Sequence, residues 1–382
     1  MRHLTKNITL AGVVFTTALL NASPLLQFGE NAQLHFLTDL SFGYEDNVFL
    51  QEDKLEDTYL IFSPGLELRL FQEGTASATI RYQHQFIRYS DYSILDEEFS
   101  DLEAQVTYNS GVVLTNAYAS YRERYTKGWA IDEIWEIYEA LIRRKETKVG
   151  ANMKYDLSRL TAMQVGIDYS ELDYDFKNYI SHDSISVPVT LFYQIRPKID
   201  LTAGLRYRTT DTSNDIEYDD WYAYIGAIGE LFSPVFLADF SIGWQDRDSS
   251  FDPASDSSMT YDLSLIYTGN PKSTAYITFA QDFNTSSFQG DSYVFTSATL
   301  GGNYTLSSTV GVYASVAVGQ NDYSVADRKD DLYILRLGGT YRPNEYLSVN
   351  AYFNYQDVER DLSGNSFNYD ASEIRVTASL RY

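Results

Sequence analysis

From residue 33 to the C-terminus, polar and apolar side chains alternate with period two, and that alternation sets the fold. In the last segment Ile374, Val376, Ala378, Leu380 and Tyr382 share one face, and Glu373, Arg375, Thr377, Ser379 and Arg381 share the other. Leu201, Ala203, Leu205 and Tyr207 alternate in the same way with Thr202, Gly204, Arg206 and Arg208. Period two belongs to strands, since successive side chains of an extended chain point to opposite faces. About 18 such strands follow one another, long enough for tilted membrane strands of roughly 9–11 residues. Their connections alternate in length. Short turns fall near Gln72–Thr75, Ser110-Gly111, Arg196–Lys198, Ser233–Phe236, Asn270–Lys272 and Pro343–Glu345, and longer polar loops, among them 211–220 and 359–366, lie between them. Pro197, Pro234, Pro271 and Pro343 sit in the short turns, where a fixed φ helps and no ladder donor is lost.

This rhythm predicts an all-β fold, a transmembrane antiparallel up-and-down β-barrel with short periplasmic turns and longer acidic extracellular loops. In hydrocarbon every backbone N–H and C=O needs a partner, and only helices and closed barrels provide one for each. A soluble sandwich or propeller has no reason to sort its loops into two length classes. The chain carries 53 Asp and Glu against 29 Lys and Arg, a net charge of −24, and most of the excess lies in the longer loops. Such a balance argues against nucleic-acid binding, which calls for a basic face. Without cysteine there is no disulfide framework and no thiolate metal site.

At the N-terminus, Arg2 and Lys6 precede an apolar run from Ile8 to Leu20 and the small residues Asn21-Ala22-Ser23. That is the order of a secretion signal. The expected division is a signal peptide over 1–26 and an outer-membrane barrel domain over 27–382, in the outer membrane of a Gram-negative-type bacterium.

The segment Asp46-Asn47-Val48-Phe49, followed by Ser63-Pro64-Gly65-Leu66-Glu67-Leu68, resembles the opening of the putative beta-barrel porin type 2 family. The resemblance implies an outer-membrane barrel with a pore, and leaves the solute open. Some relatives occur in exopolysaccharide-export settings. The C-terminal Tyr382, with Leu380 two residues before it, resembles the terminal signal by which such barrels are recognised for assembly.

Strand parity puts Arg69, Arg81, Arg206, Arg208, Arg336, Arg375, Glu67, Asp168 and Glu373 on the face opposite the apolar one. They are the candidate pore-lining residues. The same parity assigns Lys148, Lys154, Arg247, Arg381, Glu103, Asp156, Asp239 and Asp262 to that face. In the third long loop Ile131, Ile134, Trp135 and Tyr138 recur at helical spacing, with Asp132, Glu133 and Glu136 on the other side. A short helix there is a candidate constriction. Acidic groups such as Glu52, Asp53, Glu56, Asp57 and Asp215, Glu217, Asp219, Asp220 are candidate contacts for divalent cations, although no calcium-loop motif is present. Tyr44, Tyr89, Trp221 and Tyr341 read as interfacial girdles, and Pro64 and Pro188 as bulges or rim positions.

Catalysis has little support. His84 falls on the apolar side with no serine or acid partner evident by spacing, and no nucleophile elbow or phosphate loop occurs. No enzyme activity, cofactor or structural metal is expected. The expected partners are outer-membrane lipids and the barrel-assembly machinery. The leading function is passive diffusion of ions or small polar solutes. The alternatives are an exopolysaccharide exporter with inward aromatic rails, for which Tyr352 is one candidate, and a closed structural or surface-interaction barrel.

Overall fold

The computed structural model describes residues 24–29, 31–72, 74–125, 142–176, 179–231, 233–251, 256–287, 291–324, 327–362 and 365–382. The expected signal peptide falls almost wholly outside these residues, and so does the expected constriction helix with Asp132, Glu133, Trp135 and Glu136.

A three-residue strand, β1 (Leu26–Phe28), precedes eighteen long ones. The first six of these are β2 (Ala32–Glu45), β3 (Asp57–Leu70), β4 (Ala76–Tyr89), β5 (Glu97–Asn109), β6 (Val113–Tyr125) and β7 (Arg143–Asp156). Next come β8 (Thr161–Tyr174), β9 (His182–Arg196), β10 (Ile199–Thr212), β11 (Glu217–Gly229), β12 (Phe236–Ser249) and β13 (Asp256–Asn270). The last are β14 (Ser273–Thr285), β15 (Ser292–Thr305), β16 (Val310–Tyr323), β17 (Arg328–Tyr341), β18 (Leu347–Leu362) and β19 (Asn365–Arg381).

Every long strand pairs antiparallel with its sequence neighbours, and β19 pairs with β2 to close the ring. The closing ladder sets Arg375 opposite Gly43 and Arg381 opposite Leu37. Beyond it Phe36 and Tyr382 exchange backbone bonds, 2.6 Å from the Phe36 N–H and 2.9 Å from the Tyr382 N–H. Closure removes both sheet edges, as a hydrocarbon environment demands. β1 adds a short pairing to β2 that the alternation did not announce, because three residues carry too little pattern.

The outer face is apolar and bare. Phe42, Leu205, Ile225, Trp244, Leu300 and Ile374 are all more than half exposed, with Ile225 at 67%. Such a continuous apolar belt is the lipid-facing surface of an outer-membrane barrel. Periplasmic connections are short. In the turn after β9, Pro197 fixes φ and Lys198 takes the left-handed conformation at φ 69°, as a type II turn requires.

Three expectations need correction. The expected loops 211–220 and 359–366 are mostly strand, since β10 and β11 approach to 212 and 217, and β18 and β19 to 362 and 365. Charges above the membrane pair across strands there, so polarity did not mark a loop. Tyr89 faces inward, directly opposite Tyr59, and is no girdle residue. Pro64 and Pro188 make neither bulges nor rims. Each interrupts one ladder for two residues mid-strand, and the register resumes unchanged at Gly65–Gln83 and Asp168–Ser186.

On the inner face, tyrosine rings lie over glycines of the adjoining strand. A Cβ on Gly43, Gly150, Gly204, Gly301 or Gly338 would meet the ring of Tyr59, Tyr118, Tyr224, Tyr276 or Tyr313 within 2.7 Å. The missing side chain lets each ring lie flat against the wall, which covers the glycine and stiffens the pairing. Gly243 is tighter still, because a Cβ would sit 2.1 Å from the Ala223 carbonyl oxygen. Gly243→Val is expected to cost roughly 1–3 kcal/mol as an overpacking change. The urea midpoint of the folded, heat-modifiable band in detergent reads this, and an unchanged midpoint would refute it.

Candidate functional site

The ladder carries all nine candidate lining residues to the inner face, but it sorts them into separate clusters. Near the periplasmic end Glu67 accepts bonds from Arg69 Nε and Arg381 Nη2, each at 2.6 Å. Arg81 bonds Gln83, whose amide donates to Asp39 at 2.9 Å. A second cluster joins β17, β18, β19 and β3. There Arg375 pairs with Glu373 at 2.6 Å and donates to Tyr59 Oη at 2.7 Å. Tyr59 donates in turn to Glu373, and Arg336 donates to Asn354 at 2.8 Å. The third cluster lies on β10–β14. Arg206 reaches Asp282 at 3.0 Å, and Arg208 meets Asp220 at 2.7 Å. Asp168 stands apart, accepting from Tyr118 Oη at 2.7 Å.

Arg247 was expected on this face, but not as the centre of a clamp. It holds Asp220 bidentately, at 2.6 and 2.7 Å, and donates to the Asn284 carbonyl and to Ser292 Oγ, both at 2.9 Å. Its guanidinium also lies over the Phe283 ring, 5.1 Å from the centroid. Arg208 adds a bond to the Phe283 carbonyl at 2.8 Å, and from the loop before β9 the Ile180 N–H donates to the Ser287 carbonyl at 2.7 Å. These bonds draw the tip of the β14–β15 hairpin inward across β10–β12. Phe283, Ser286 and Ser287 are buried as a result.

The first long loop, 46–56, also turns inward. Leu50 joins Ala317, Leu332, Ile334, Val358, Tyr369 and Ala371, which are inner-face residues of β16–β19, in one apolar cluster. Val48 and Asn47 are fully buried. The Asn47 amide donates to the carbonyls of Gln51 at 2.7 Å and Asp370 at 2.9 Å, and Leu50 turns through φ 53°. Lys54 ties the loop's outer edge to Asp370 and Asp46. Burial acts to lower the Lys54 pKa, but the hydrogen bonds and charges of these two carboxylates outweigh it, so the ammonium is held above its ordinary value. The sequence signal for this inward turn was present. Val48-Phe49-Leu50 is an apolar run inside an otherwise acidic loop, and it overlaps the segment that carries the family resemblance.

On the inner face of β7–β14 lies a recess of about 670 Å³ whose lining includes Phe192, Tyr222, Tyr224, Lys154, Asp239 and Asp262. A smaller recess of about 300 Å³ lies near Glu67, Arg81 and Arg381 at the periplasmic turn before β18.

Several of the acidic loop residues are already engaged by protein donors. Asp57 accepts the backbone N–H of Asp91 and Tyr92, Glu56 accepts from Tyr44 Oη at 2.6 Å, and Asp220 is held by the two arginines. Outside the barrel, His84 does have partners that spacing within one strand concealed. Ser100 Oγ on β5 lies 3.2 Å from Nδ1, and Glu98 Oε2 lies 3.6 Å from Nε2. The Ser100 N–H is bonded to the Glu123 carboxylate at 3.0 Å, so an acceptor occupies the place where an oxyanion would need donors. The group is a hydrogen-bonded part of the outer wall.

Arg247→Ala strands the Asp220 carboxylate beside Arg208 alone and frees the hairpin tip. It is expected to destabilise the barrel by about 3 kcal/mol, as the loss of one partner of a buried ion pair does. Arg88→Ala, which removes an exposed, solvent-screened pair with Glu98, is expected to leave stability nearly unchanged. Urea midpoints of the two variants check the contrast, and equal shifts would contradict it.

The family described as putative beta-barrel porin 2 matches residues 228–382. Among curated proteins none matches the chain. Two crystal structures of the outer membrane protein OpdK (OccK1) of Pseudomonas aeruginosa share the fold. Each gives a TM-score of 0.51 at 12% identity; one alignment covers 93% of this chain and 100% of OpdK, the other 91% and 99%. OccAB4 of Acinetobacter baumannii aligns over 92% of this chain and 99% of its own at 10% identity, with a TM-score of 0.48. At such identities the likeness is one of fold. The chain is an outer-membrane β-barrel of porin fold whose residues 228–382 match the putative beta-barrel porin 2 family.

Proposed function

We propose that the protein is a passive outer-membrane channel for ions and small polar solutes, narrowed from outside by loop 46–56 and the β14–β15 tip. The observation that carries this reading is the contrast between the two faces: a bare apolar exterior and a polar interior whose charges are largely paired. A polar bore needs no reaction or cofactor to pass solutes; its lining and width set the preference. Arg69, Arg81, Arg206, Arg208, Arg336, Arg375, Glu67, Asp168 and Glu373 serve as its lining. Residues 1–26 act as the export signal, and residues 27–382 form the barrel. Leu380 and Tyr382, on the lipid-facing parity of the last strand, present the assembly machinery with its terminal signal.

A second reading, export of a polysaccharide, is favoured by one observation. The inner face carries flat-lying rings at Tyr118, Tyr224, Tyr276 and Tyr313, a surface on which sugars can stack.

Planar-bilayer recording separates these readings. The wild-type barrel is expected to give discrete conductance steps, and deletion of residues 48–53 is expected to raise them roughly twofold by removing the inward loop. Silence from a demonstrably folded barrel would overturn the passive channel. Equal steps with and without the loop would remove it as a constriction.

A further inference from the structure

We propose that a notch in the lipid-facing wall of β9–β13 binds a phospholipid with an ethanolamine head, its acyl chain against Ala203 and Ala223 and its ammonium on an acidic collar above them. The site lies outside the barrel, so it goes beyond the channel reading and concerns no solute.

The ladder sets the outer face in rows. Leu191, Ala203, Ile225 and Ile242 share one row across β9–β12, and Val189, Leu205, Ala223 and Trp244 share the next toward the extracellular end. In each row one methyl group stands between long side chains. Ala203 lies between Leu191 and Ile225, and Ala223 between Leu205 and Trp244. Those four neighbours are each close to half exposed or more, and the two gaps are diagonal to one another. They merge into an apolar hollow of about 740 Å³ that Met259 of β13 also borders. A hydrocarbon chain laid in it touches apolar walls on both sides, where a flat face would offer contact on one.

The next rows fix the height of the hollow in the membrane. Tyr207 and Trp221 stand above it with ring centroids 4.8 Å apart. The Tyr207 hydroxyl donates to Asp219 at 2.6 Å, and the Trp244 indole N–H donates to Asp246 at 3.1 Å. Aromatic girdles sit where hydrocarbon gives way to headgroups, so these carboxylates lie at headgroup height. Asp248 stands beside Asp219, and Asp183, Asp211 and Glu217 form the row beyond. Among the described residues none of these six carboxylates has a cationic partner. No lysine or arginine occupies the outer face of β9–β12 above the hollow. Elsewhere the outer rim mixes signs, with Arg88 beside Glu98, Lys145 beside Asp175 and Lys329 beside Asp322.

This charge selects the head. A lipid with a net anionic head is repelled by the collar. A choline head brings a positive charge but no N–H. The ethanolamine ammonium brings both, with three donors to share among carboxylates that the tyrosine and tryptophan already orient.

Native mass spectrometry of the delipidated barrel tests the proposal, in detergent with EDTA so that no divalent ion bridges an anionic head to the collar. Phosphatidylethanolamine, phosphatidylcholine and phosphatidylglycerol of matched chains are titrated separately. The wild-type barrel is expected to retain phosphatidylethanolamine at a concentration about threefold lower, or less, than either of the others. Ala203→Leu with Ala223→Leu fills the hollow and is expected to abolish the retained lipid. Asp219→Asn with Asp246→Asn is expected to keep a bound lipid but level the three. The heat-modifiable band establishes that each variant is folded. Equal or reversed retention of the three lipids by the wild-type barrel would overturn the proposal, and so would wild-type retention by the filled variant. Neither result touches the channel reading, which conductance tests separately.

Discussion

The pairing of β19 with β2 is the constraint on which everything else rests. A strand edge left open in hydrocarbon exposes a row of N–H and C=O groups, each at a cost of several kcal/mol, so the sheet is viable there only as a ring. Closure fixes parity around the whole circumference. Once Gly43 stands opposite Tyr59 on one side and Arg375 on the other, every residue of the eighteen strands has an assigned face. The polar wall, the lipid belt and the placement of the charged clusters all follow from that assignment.

Closure also explains why charge inside is gathered in pairs. An arginine on the inner wall faces a narrow, partly desolvated space, where an unpaired buried charge is expensive and a paired one tolerable. Where segments fold inward and exclude water, each guanidinium meets a carboxylate, as Arg247 and Arg208 both meet Asp220 beside the β14–β15 hairpin. Asp239 and Asp262 instead border the recess below, away from that cluster. The loop at 46–56 uses apolar contact instead, with Leu50 set among Leu332, Ile334 and Val358. Two different chemistries thus hold two inward-folded segments, one against β16–β19 and one against β10–β12.

Much of this was legible in the sequence because period two is a local signal. Strand starts at Ala76, Thr161, Ile199, Ser273 and Ser292 coincide with the breaks in alternation, and every candidate lining residue lies on the inner parity. What escaped was contact between distant segments. Nothing local to Arg247 announces that Phe283 and Ser292 will lie against it, and nothing in the spacing around His84 reveals Ser100 on the next strand. Tyr89 was misread because an aromatic residue at a strand end suits a girdle and an inner wall equally, and only its parity decides. The long outer hairpins were misread as loops because above the membrane both faces of a strand are polar and alternation fades.

The central claim is that parity in a closed ring separates an aqueous bore from lipid, residue by residue. The chain contains no cysteine, so single-cysteine variants give a clean background. Cysteines placed in turn at Val376, Thr377, Ala378 and Ser379 of β19 are to be treated, in intact bilayers, with a charged, membrane-impermeant thiol reagent. Labelling is expected at 377 and 379, with protection at 376 and 378. Labelling of all four, or of 376 and 378 alone, would contradict it.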